Sequence, residues 1–205
     1  MSVDEEHEFE IEMLTTLEAI RRRPGMFVGA DGVCGVAEHL VCGALCHGLA
    51  ELACGAATGV EIAVDGLRVR VADDGTGWPV HVGTDGRRFA ERVLTDLYAC
   101  RDFKQHEELA HELCRVSLPV VVALSKRFVF QTCREGAVWR QVYVEGVAEG
   151  PLAEVNEESK AGTVMEFVLD EGFCGAARIS VPAIEAWVKA LGAKVPVGSV
   201  RVRGS

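Results

Sequence analysis

The sequence predicts an α+β fold: a two-layer sandwich with helices packed on one face of a largely antiparallel sheet. Three observations lead there. Residues 35–54 carry apolar and small side chains at three- and four-residue spacing, the period of a helix. Residues 60–71 alternate, with Val60, Ile62 and Val64 on one arm and Leu67, Val69 and Val71 on the other. Asp65-Gly66 supplies a two-residue turn between them, so the segment reads as a hairpin. The second half of the chain is mostly strand-like, with one further helical pattern near its end.

From the N-terminal side, "IEMLTTLEAIRRR" (11–23) predicts a helix with Leu14, Leu17 and Ile20 on one side. Arg21, Arg22 and Arg23 suit the negative end of its dipole, and Pro24-Gly25 stop it. The next helix contains "LVCGALCHGLAELACG" (40–55), which holds an imidazole (His47), a carboxylate (Glu51), thiols, and Gly43 and Gly48 in its interior. Each interior glycine costs about 1 kcal/mol relative to alanine. The second arm of the hairpin runs into the turn-rich "DDGTGWP" (73–79).

Residues 87–100 predict a helix with Phe89, Val93, Leu94 and Leu97 inward. Residues 107–125 predict a helix or a helix pair that restarts at Ser117-Leu118-Pro119, since serine caps and proline is tolerated in a first turn. "RFVFQTC" and "VWRQVYVEG" predict strands about the turn "REGA", and "GTVMEFVLD" predicts another. A helix over 181–192 places Ile184, Trp187, Val188 and Leu191 on one face, and "SVRVRG" predicts a closing strand. The chain has no internal repeat, low-complexity tract or long linker.

Composition narrows the function. The chain has 205 residues, 49% hydrophobic, which suits one domain or two small ones with a real core. A net charge of -10 argues against a nonspecific grip on nucleic-acid phosphates, so no direct DNA binding is expected. The acidic start "MSVDEEHEFE" is unlike a secretory leader, and no apolar run approaches the roughly 20 residues of a membrane span. A cytoplasmic protein without a membrane partner is expected, its eight cysteines reduced. No pair has C-x-x-C spacing; Cys42, Cys46 and His47 come closest to a ligand cluster but lack a fourth ligand, so no metal site is expected.

Four segments carry a resemblance: "LEAIRRRPGMFVG" (17–29), "VADDGTGWPV" (71–80), "CREGAVWRQVYVEGV" (133–147) and "KAGTVMEF" (160–167). In this order and spacing they resemble the N-terminal ATPase domain of the DNA gyrase B and topoisomerase IV proteins, of the GHKL superfamily. The resemblance implies the Bergerat fold, an eight-stranded, mixed but mostly antiparallel sheet backed by helices, with nucleotide between the layers. It divides the chain into an acidic segment, 1–13, and a gyrase-B-like domain, 14–205, without the family's transducer or DNA-cleavage module.

The resemblance also implies what the helix over 35–54 should contain. The family reads approximately E-x-x-D-N-x-x-D-E there: the first Glu polarises the attacking water and the Asn supplies an oxygen to Mg²⁺. Here these positions are Gly43 and His47, followed by Ala50 and Glu51. Gly43 has no side chain to act as a base, and imidazole is a poor ligand for Mg²⁺. No catalytic residue and no Mg²⁺ are therefore expected. The family's lid glycines fall on His111, Glu112, Arg115 and Ser117, where side chains crowd a backbone that should approach phosphate.

What remains is the adenine end. Asp73 matches the family Asp that accepts from the adenine amino group, Thr163 matches its supporting Thr, and Gly75 and Gly77 keep the turn open. The simpler reading of 73–75 is a tight turn. The family Arg of "DDGRGIP" is Thr76, which leaves Glu51 without its usual ion-pair partner. The same floor binds aminocoumarin antibiotics in gyrase B. Glu51, Asp73, Gly77, Arg134 and Thr163 are kept, and His47 and Thr76 are changed.

The leading expectation is a catalytically silent regulatory or ligand-binding module. It would serve as an antibiotic decoy or a modulator of gyrase or another topoisomerase, with an adenine nucleotide as candidate ligand. The alternatives are a weak Mg²⁺-dependent ATPase completed by a partner chain, and an interaction scaffold whose pocket is filled by Met165, Trp78 or His47.

Overall fold

A computed structural model describes residues 13–28, 35–97, 99, 116–157, 162–175, 178–192 and 194–204. Helix α1 spans Thr16–Arg22 and begins later than its periodicity suggests. Thr15 is extended and forms a reciprocal capping box with Glu18, whose N–H donates to Thr15 Oγ1 at 3.3 Å while Thr15 N–H donates to Glu18 Oε2 at 2.8 Å. Leu14 consequently lies outside the helix and is exposed, whereas Leu17 and Ile20 are buried. A short helix α2, Gly25–Val28, follows Pro24 at once.

Helix α3, Val36–Ala53, matches its predicted span and is buried on every side from Ala37 to Leu49. At 18 residues it is long and apolar enough to cross a membrane by length and composition alone. It is instead 78% buried inside the fold, as a core helix.

Strands β1 (Val60–Asp65) and β2 (Arg68–Asp73) form the predicted hairpin. Its turn is Gly66-Leu67, one residue later than predicted, because Val64 faces Val69 and Asp65 faces Arg68. This register keeps the valines of both strands on the buried face, and Gly66 takes the left-handed position at φ +59°. Helix α4 covers Phe89–Thr95, shorter than the predicted 87–100, since the backbone at Asp96 is extended. The predicted helix over 107–115 and the lid positions His111, Glu112 and Arg115 lie outside the described residues. Helix α5, Leu118–Ala123, starts after Ser117 with Pro119 in its first turn, as predicted, but the Ser117 side chain makes no capping hydrogen bond.

Strands β3 (Ser125–Arg134) and β4 (Ala137–Val144) join through Glu135-Gly136, both at positive φ. Two short strands absent from the sequence expectation, β5 (Val147–Ala148) and β6 (Ala153–Val155), pair with the outer edge of β4. Strand β7 is Gly162–Leu169, helix α6 is Glu171–Cys174, helix α7 is Val181–Ala190 and strand β8 is Val200–Gly204. Strands run in the order β5-β4-β3-β7-β2-β1-β8, with β6 beside β4. Pairing is antiparallel except between β1 and β8.

The sheet is therefore eight-stranded, mixed and mostly antiparallel, as expected. Ile62, Val69, Val71, Phe128, Phe130, Met165 and Phe167 line one face and form the core with α3 and α5. The other face carries exposed charged residues such as Arg70 and Glu166, so among the described residues the helices cover one side.

Candidate functional site

The candidate site forms where β2 ends beneath the last turns of α3. Asp73 is the final residue of β2, half-buried, and its Oδ1 accepts from the Gly75 N–H at 3.0 Å and the Thr163 N–H at 3.2 Å. Its other oxygen has no protein donor among the described residues. Thr163 thus supports Asp73 through its backbone, while its hydroxyl lies 3.5 Å from that of Thr132. Burial raises the Asp73 carboxyl to about 6; the nearby Glu51 and Asp74 charges push the same way, against the two N–H donors.

The neighbouring Asp74 has the opposite environment. It accepts from the Thr58 hydroxyl, from the Thr58 N–H at 2.7 Å and from the Gly59 N–H at 2.9 Å. These bonds, the hydroxyl first, hold its carboxyl below the usual range and tie the approach to β1 onto the end of β2.

Two glycines are required by close approach. Gly162, at φ +121°, lies so near the Asp73 carbonyl that a Cβ would collide with it. Gly77, at φ +74°, stands in the same relation to the Cys133 carbonyl, and its own carbonyl accepts from Arg134 Nη1 at 2.9 Å. Gly75 faces two carboxylates: a Cβ there would lie 3.0 Å from Asp73 Oδ1 and 3.0 Å from Glu51 Oε2. Burial raises the Glu51 carboxyl, opposed by the polar groups of Thr76 and the charge of Arg134. Glu51 Oε2 is buried without a hydrogen-bond partner among the described residues.

His47 is buried in α3, its ring 4.7 Å from that of Trp78, which in turn lies 5.0 Å from Phe130. Trp78 is 1% exposed and its backbone N–H donates to Thr132 Oγ1 at 2.7 Å. No sequence motif marks Thr132; its inward position on β3 follows from strand alternation with Phe128 and Phe130.

Both α3 glycines have a packing reason. A Cβ on Gly48 would lie 3.2 Å from Val60 Cγ2 and 3.5 Å from Asp73 Cβ, so the helix sits close on β1 and β2. A Cβ on Gly43 would lie 3.0 Å from the Val116 carbonyl oxygen, 3.2 Å from Val116 Cβ and 3.5 Å from Val121 Cγ2. A side chain at 43 would press on Val116, just ahead of α5. Among the described residues, no group of three or more His, Cys, Asp or Glu could hold a metal.

Of the sequence-predicted site residues, Asp73, Gly75, Gly77, Glu51, Thr163 and Arg134 meet around the end of β2, with His47 behind Trp78. A one-sided sandwich of this topology, with an acidic turn under a core helix, is the GHKL-type architecture.

The chain is a homologue of the DNA gyrase B protein. It is 39% identical to that of Micrococcus luteus over 165 residues, which cover 78% of this chain and 23% of the relative. The gyrase B of Mycolicibacterium smegmatis is 35% identical over 163 residues, 78% of this chain and 24% of the relative. That of Staphylococcus epidermidis is 32% identical over 165 residues, 79% of this chain and 26% of the relative. The chain thus spans about a quarter of the length of these relatives. No protein-family profile matches it.

Proposed function

We propose that this chain is a GHKL-type ligand-binding module that has lost hydrolysis and keeps the adenine end of the site. The observation that supports the reading is the contact at Gly43, where the resemblance puts the general base: a Cβ there would press on Val116. Hydrolysis needs a group within hydrogen-bond reach of the attacking water, and glycine offers none.

Asp73, with one oxygen uncommitted, suits an amino or ring N–H donor, and Gly75 and Gly77 let the turn beside it pack against Glu51 and the Cys133 carbonyl. Arg134 lies next to Gly77 and favours an electron-rich substituent. An adenine nucleotide bound without Mg²⁺, or an aminocoumarin, has the required donor. By its likeness to gyrase B, the biological role is modulation of a topoisomerase in the cytoplasm, or sequestration of an inhibitor aimed at one. The domain carrying this role extends over 14–205.

Titration of novobiocin into wild type and Asp73→Asn tests the reading. Binding by the wild type that weakens at least tenfold in the variant supports it; equal binding by both contradicts it. A second reading, a scaffold with a filled site, draws on the burial of Trp78 against His47. Under that reading the wild type binds nothing and Trp78→Ile gains binding.

A further inference from the structure

The sheet face turned away from the helices plays no part in the site above. There β1, β2, β3, β7 and β8 line a shallow groove of about 460 Å³. Four guanidinium groups line it, from Arg68, Arg70, Arg127 and Arg203, against two carboxylates, Asp65 and Glu166. On a chain of net charge -10 this groove has the opposite sign.

Two of these arginines differ from the others. Arg70 pairs with Glu166 at 3.1 Å, and Arg203 lies 3.9 Å from Glu61. Arg68 and Arg127 are exposed and make no ion pair among the described residues. Both are in register with Val168, one on each neighbour of β7. Two strand spacings, about 10 Å, therefore separate their backbones across an apolar floor. An arginine fork meets a carboxylate with two parallel hydrogen bonds.

We propose that this groove docks an acidic, extended segment of a protein partner. Its carboxylates would meet Arg68 and Arg127, and small apolar side chains between them would lie on Val129 and Val168. Charge complementarity argues for this occupant. A nucleic acid fits less well: its regular phosphates would meet Asp65 and Glu166, and no exposed aromatic side chain lines the groove to stack a base. A peptide can space its carboxylates to avoid both.

The test is fluorescence anisotropy with a labelled synthetic peptide alternating glutamate and valine, on the full chain. The expected result is binding that weakens with salt, falls at least tenfold in the double variant Arg68→Glu/Arg127→Glu, and is kept by Arg178→Glu. A peptide with glutamine for glutamate should not bind. The double variant Arg68→Gln/Arg127→Gln gives the same reading if charge reversal impairs folding, with thermal melting as the check. Absence of peptide binding, or binding indifferent to both double variants, overturns the proposal. So does tighter binding of a DNA duplex through the same arginines, or self-association that buries them. Novobiocin titration of the same variants stays unchanged, which separates this proposal from the ligand site.

Discussion

The Val116 carbonyl oxygen stands 3.0 Å from the point a Cβ on Gly43 would occupy. A side chain at position 43 would therefore press on a segment distant in sequence. Under the proposed function, replacing this glycine alone does not restore chemistry. Gly43→Glu is expected to leave phosphate release at background. It should also destabilise the fold by about 1–3 kcal/mol through overpacking. Thermal melting beside a phosphate-release assay reads both, and a gain of turnover would contradict that reading.

The glycines beneath Asp73 are expected to be the most sensitive in the site. Gly162→Ala and Gly77→Ala each place a methyl against a backbone carbonyl at positive φ, with no flexible side chain to yield. Each should cost about 2 kcal/mol or more in urea unfolding. Gly136→Ala, at positive φ but with open space around it, should cost less.

Asp73 makes a pH prediction. Its carboxyl is raised to about 6 in the folded chain from an ordinary value of 3.8. The folded state therefore holds the proton more tightly than the unfolded state. The resulting stabilisation is full below about pH 4 and is lost as pH rises through 6. Wild type should lose roughly 2–3 kcal/mol relative to Asp73→Asn between those limits. Binding of a donor-bearing ligand should run the other way, weakening below pH 6 as the acceptor is protonated. Denaturant titrations across that range measure the first effect, and ligand titrations at pH 5 and 7 the second.

Asp74 is expected to act on stability and not on ligand. It clamps Thr58 and Gly59 to the end of β2 by three hydrogen bonds. Asp74→Ala should cost about 1 kcal/mol by removing those bonds, whose donors are exposed and pass to water. Novobiocin affinity, measured where the variant is fully folded, should change less than threefold.

Much of the fold is legible in the sequence because its signals are local. The span of α3, the alternation of β1 and β2, and the Ser-x-Pro start of α5 each lie within one element. The start of α1 is legible too: Thr15-x-x-Glu18 is a capping-box pattern, and it overrides the apolar period that places Leu14 in the helix. Strands β5 and β6 are not legible, since two or three residues carry no period and owe their form to the edge of β4. In the site, Asp73 and the glycines can be placed by motif. The roles of Thr132 under Trp78 and of Val116 over Gly43 depend on contacts between remote segments, which no spacing reveals.

In the proposed function, ligand recognition survives at Asp73 while phosphate and Mg²⁺ recognition do not. Calorimetric titration with ADP, and with a non-hydrolysable ATP analogue with and without Mg²⁺, tests this most directly. ADP and the analogue are expected to bind alike, with no gain from Mg²⁺. Tighter binding of the analogue than of ADP, strengthened further by Mg²⁺, would contradict it.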